Sequence, residues 1–174
     1  MRQCKETGFG LKVPSEAYNF QGKMGLKEKY QELEKKYNLP SYDELNNEFE
    51  ISSIDCEDFL LREIRRKIAE KVELYVKLLD EWLNPEASIS NMHESKLFND
   101  KDRNDIFQVY KRLMFFDRYS IESALSEDEK SAEFIKDVFK EWDEVKQKIA
   151  GFVKKAKESW LEEVDVKQEL GYMG

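Results

Sequence analysis

Glycine is missing from the whole stretch between Leu26 and Ala150, and only Pro40 and Pro85 interrupt it. Hairpins and tight sheet turns depend on glycine for backbone angles that other residues reach at a cost, so the absence excludes a sheet protein. Helices joined by short polar connectors tolerate it. It also removes any glycine-rich phosphate-binding loop from the body of the chain.

Cysteine and histidine are almost as scarce. Cys4 and Cys56 stand in unlike contexts, one in an irregular leader and one near a helix start, and read as two reduced thiols. His93 is the only imidazole. Nucleophilic catalysis sets a base beside its nucleophile, and no signature joins His93 to Cys56, so His93 reads as a capping or surface residue. Zinc takes about four nitrogen or sulfur ligands, and His93 and Cys56 have no partners nearby in the sequence. The Glu-x-x-His pattern of di-iron bundles does not occur. No metal, no cofactor and no catalytic residue is expected.

Long apolar runs are missing too. Nothing approaches the roughly 18 apolar residues of a membrane span, and the start lacks the apolar core of a signal peptide. The expectation is a cytoplasmic protein with no membrane association. Hydrophobic residues make up 40% and charged residues 38% of the chain, too apolar for a disordered one. The net charge of -8 opposes a general grip on nucleic acid.

Residues 1–23 show no sustained period and hold Gly8, Gly10, Gly22 and Pro14. Two readings fit: Met24 as the natural start, or an arm that docks on the body through Phe9, Leu11, Val13, Tyr18 and Phe20. Residues 24–164 read as one helical-bundle domain, and 165–174 as a loose tail.

Within the body, Leu26, Tyr30, Leu33 and Tyr37 form the stripe of a first helix, which Pro40 ends. Ser41 with Glu44 is a capping-box pattern opening a second, short helix over Tyr42, Leu45 and Phe49. The third helix is expected from Ser53 or Asp55 to Leu83, with Leu61, Ile64, Ile68, Val72, Tyr75, Leu79 and Trp82 facing inward. Ser88, Ser90 and Asn91 offer caps for one short helix through His93 and Leu97. Asn99 or Asp100 caps the fourth helix, whose apolar face is drawn through Ile106, Tyr110, Leu113, Ile121 and Ala124. Ser126 and Glu129 form another capping-box pattern, opening a last helix whose stripe runs from Ile135 through Val138, Trp142, Val145, Ile149, Phe152 and Ala156 to Trp160. The predicted architecture is all-α: an antiparallel bundle of three long helices, with the two short N-terminal helices packed alongside.

Two residues break the pattern. On a helical wheel Asp117 falls in the middle of the fourth helix's apolar face, and Arg65 near the centre of the third's. With Leu83 level with Asp102 in an antiparallel register, the two come within a turn, which predicts a buried Arg65–Asp117 ion pair. Its alternative role is the floor of a polar pocket for an anionic ligand. Gly151 falls opposite the stripe of the last helix and reads as a surface residue.

Function is read mainly by exclusion. The chain is expected to be a non-enzymatic module for protein interaction or assembly, with a protein partner or a second copy. The surface candidate is Phe115, Phe116 and Tyr119, because Leu113-Met114-Phe115-Phe116 is apolar all round the fourth helix. The alternatives are a ligand-binding or enzymatic bundle at Arg65 and Asp117, and a nucleic-acid- or ribosome-associated protein using Arg62, Arg65, Arg66 and Lys67. Acids interleave with that basic cluster and favour a solvated face.

Overall fold

The caps expected at Ser41, Ser88 and Asn99 are present. In the computed structural model, residues 25–55, 58–85 and 88–161 are described, and among them the chain forms six α-helices and no strand. The helices are α1 (Leu26–Tyr37), α2 (Tyr42–Phe49), α3 (Leu60–Leu83), α4 (Ile89–Lys96), α5 (Asp100–Ala124) and α6 (Asp128–Ser159). The leader 1–23, Met24, Cys4, Cys56 and the tail 165–174 lie outside the described residues, as do the expectations attached to them.

Ser41 caps α2 through a reciprocal pair with Glu44, Ser88 Oγ accepts from the Asn91 amide at 3.2 Å, and Asn99 and Asp102 close the start of α5. A glycine-free chain must end helices by other means. Asn38 and Glu50 do so with φ of 53° each, the left-handed conformation usually given to glycine. Asparagine adopts it readily; glutamate there is strained by about 1 kcal/mol or more. The turn after Glu50 is held by Ser52 N–H donating to Asn46 Oδ1 at 2.7 Å.

The bundle proper is α3, α5 and α6. Near one end, Arg62 pairs with Asp128 at 3.2 Å, and Arg65 reaches Ser120. At the other, Trp82 packs on Phe98 with ring centroids 5.0 Å apart, and Trp160 bonds to Glu94. α5 therefore runs antiparallel to both α3 and α6. The inward residues of α3 are as expected, with Leu60 added and Tyr75 only partly buried. Those of α6 match from Ile135 to Ala156 except that Phe152 is partly buried, and Phe134 joins the core.

Trp142 helps dock α2: its ring is tilted against Phe49 at 4.8 Å and stacked on Tyr75 at 5.9 Å, while its Nε1–H donates to Glu48 at 3.0 Å. Lys146 pairs with the same carboxylate. α1 packs on α2 through Tyr30, which meets Tyr42 edge-on and donates its hydroxyl to the Pro40 carbonyl at 2.5 Å. Burial pushes the Tyr30 phenol well above its ordinary pKa, so it remains a donor.

Several boundaries depart from the expectation. α3 begins at Leu60, not at Ser53 or Asp55, because Ile51 and Ile54 reach the core from a single 3₁₀ turn, Ile51–Ser53. Ser126 does not form a capping box with Glu129. Its hydroxyl instead donates back to the Glu122 carbonyl at 3.1 Å, closing the end of α5, and Glu127 takes the cap position of α6 without a side-chain bond. His93 is neither a cap nor a surface residue: it is 8% exposed, 3.2 Å from Ser159 Oγ and stacked on Trp160. Trp160 is 51% exposed, and Ser159 takes its expected place inside. Gly151 faces outward, and a Cβ added there would meet nothing within 4 Å.

Candidate interaction surface

The fourth predicted helix is α5, and its buried line is Ile106, Val109, Leu113, Phe116, Ser120 and Ser123. Ile106 and Leu113 are common to this line and to the face drawn through Ile106, Tyr110, Leu113, Ile121 and Ala124, but the buried line is rotated from that face by about 70°, so Tyr110 is only partly buried and Ile121 and Ala124 are exposed. The register along the axis is the expected one, and it sets Ser120 level with Arg65. The guanidinium donates from Nη1 to the Ser120 carbonyl at 2.9 Å and lies 3.3 Å from its hydroxyl. Asp117, a turn away and turned aside, pairs with its neighbour Arg118 at 2.8 Å.

The predicted Arg65–Asp117 ion pair is therefore not formed. The reason is the two serines. Being small, they let α5 turn a polar line onto α3, where a wheel counting only apolar residues expects none. Arg65 keeps a buried Nε with no partner, as does the Ser123 hydroxyl, among the described residues. Burial first, then nearby Arg62, draws the Arg65 guanidinium below its ordinary pKa, though it remains a cation at neutral pH.

The outer side of α5 carries a second apolar set. Phe115 is 53% exposed and Phe116 only 1%, so Phe116 belongs to the core and leaves the surface candidate. Tyr119 stands between them in burial, its ring edge-on to Phe134 at 5.4 Å and tilted against Phe115 at 5.9 Å. Its hydroxyl donates to Asp137 at 3.3 Å. Partial burial and the Asp137 carboxylate push the phenol up to about 12, keeping it a donor. Further along the same outer side, Phe107, Ile121 and Leu125 are exposed.

A cation fixes this aromatic group. Arg112 is held by both oxygens of Glu141 on α6, and its guanidinium sits 5.1 Å from the centroids of both Phe115 and Phe116. Together with Tyr119, Asp137 and Lys140, these side chains line a shallow groove of about 370 Å³ between α5 and α6. The Arg112–Glu141 clamp could not be read from the sequence, since it joins residues of two different helices. Nothing but the register of α5 against α6 announces it.

Other features carry less. The groove of about 260 Å³ between α2 and α6 surrounds Glu48, whose carboxylate is occupied by Trp142 and Lys146. In the basic cluster, Arg62 pairs with Asp128, and Arg66 with Glu63 and Glu70. No group of three or more histidine, cysteine, aspartate or glutamate side chains is placed to hold a metal ion among the described residues, and no described helix is long and apolar enough to cross a membrane. Compared with family models, curated proteins and solved structures, the chain has no match.

Proposed function

We propose that this chain is a non-enzymatic helical module for protein interaction, and that it binds through the outer face of α5 around Phe115 and Tyr119. One observation carries the reading. Phe115 is a half-exposed aromatic on a helix whose opposite side is already filled, and it is held in place by Arg112, itself clamped to Glu141. Aromatic and arginine side chains dominate the energetics of protein interfaces. Fixing them before contact reduces the entropy lost on binding. An isolated exposed apolar residue means little, but Phe107, Phe115, Ile121 and Leu125 line one helix together.

The test is comparative capture from native lysate. Proteins retained by the wild-type chain are expected to be lost with Phe115→Asp and kept with Phe59→Asp, which alters an equally exposed aromatic elsewhere. Both positions are exposed, so both variants should melt with the wild type. Equal retention by the two variants would remove the basis of the reading.

A further inference from the structure

The outer face of α5 carries charges arranged to recognise themselves. Gln108, Lys111, Phe115, Arg118, Glu122 and Leu125 are all exposed and follow alternating steps of three and four, so they form one mostly polar seam along the helix with Phe115 and Leu125 as its apolar members. Lys111 and Glu122 are three turns apart, about 16 Å along the axis. Lys111 lies against its own Phe107 ring at 6.0 Å, and Glu122 accepts only through its main-chain carbonyl, from Leu125 and Ser126. Neither side chain is in an ion pair among the described residues.

From this we infer that the occupant of the face is a second copy of this chain, with the two α5 helices crossing antiparallel about a two-fold axis between Phe115 and Arg118. Rotation about that axis sets Lys111 against Glu122 of the second copy, and Glu122 against its Lys111. It lays Phe115 under Arg118 of the second copy, and Gln108 beside its Leu125. A two-fold contact makes each favourable pair twice, which is why one lysine and one glutamate suffice. Phe107, Met114 and Ile121 flank the seam on one side, Arg112 and Tyr119 on the other. A single helix pair buries less than the roughly 1,200–2,000 Å² of a standard stable interface, so the dimer belongs with the weak, transient ones.

This inference rests on the interaction reading and names its partner, so the experiment separates the two. Light scattering of the wild-type chain is expected to show the mass rising from monomer to dimer as concentration rises toward about 1 mM. Lys111→Glu and Glu122→Lys should each weaken association by at least about tenfold, since each sets like charges together twice. Mixing these two variants should restore a dimer made of one of each, because both cross-pairs are then opposite in sign. Lys111→Glu/Glu122→Lys in one chain should also dimerise. A monomeric mass at about 1 mM, or a mixture that stays monomeric while the wild type dimerises, overturns the second-copy assignment. In the first case, capture that still depends on Phe115 leaves the interaction reading standing with a different partner. Capture that ignores Phe115 ends both.

Discussion

Replacing Trp142 by alanine is expected to cost about 4 kcal/mol, the middle of the range for a fully buried aromatic cut to a methyl group. In a chain of this length that lowers the melting temperature by roughly 10–15 °C. Trp142 is not only large and buried. It is one of the contacts that join α2 to the bundle, through Phe49 and through its indole N–H on Glu48, beside Lys146 on the same carboxylate and Lys71 on the Glu48 carbonyl. The loss should therefore be uneven: amides of α1 and α2 should exchange far faster than those of α3 and α5. Trp142→Phe keeps an aromatic ring but removes the indole donor together with the five-membered ring that carries it. Lys146 still holds Glu48, so this variant should lose about 1–3 kcal/mol, less than the alanine variant. Calorimetry on the two variants ranks the losses.

The second large effect is expected at Glu94, one carboxylate accepting from two indoles. Its oxygens take Trp82 Nε1–H at 2.6 Å and Trp160 Nε1–H at 2.8 Å, joining the ends of α3 and α6 through α4. Glu94→Leu leaves the Trp82 donor inside the protein without an acceptor, while the half-exposed Trp160 turns to water. The cost should be about 2–3 kcal/mol, nearly all of it from Trp82. Glu94→Gln keeps one acceptor oxygen and should fall between Glu94→Leu and the wild type. Tryptophan emission is the sensitive readout, because releasing Trp160 from Glu94 also frees the ring stacked on His93.

How far these contacts were legible depends on what each residue does. The caps at Ser41, Ser88 and Asn99 could be read because capping is local: the side chain bonds an amide three residues on. The inward lines of α3 and α6 could be read because large apolar residues fill them. The inward side of α5 was harder to read because its line ends in Ser120 and Ser123, which count as polar although they lie inside. The resulting rotation takes Asp117 out of the predicted ion pair, draws Phe116 into the core and turns Ile121 and Ala124 outward, while Phe115 faces outward on either line. His93 was misread for a related reason, since its burial depends on the end of α6 crossing α4. Arg112 with Glu141, and Glu94 with its two indoles, join residues far apart in the chain, and periodicity within one helix is blind to such pairs.

The misplaced aspartate, which the sequence made conspicuous, thus pairs locally with Arg118 at the surface, while the ordinary-looking aromatics beside it form the candidate site. The outer face of α5 is the proposed contact surface between two copies of this chain. Hydroxyl-radical footprinting of the chain, dilute and then concentrated to about 1 mM, reads that face directly. Phe107, Phe115 and Tyr119 are predicted to lose reactivity on concentration, while Phe59 and Trp160, comparably exposed aromatics on other elements, keep theirs. Unchanged reactivity at Phe115, or protection that falls on Phe59 and Trp160 instead, would contradict the pairing of α5 with a second copy.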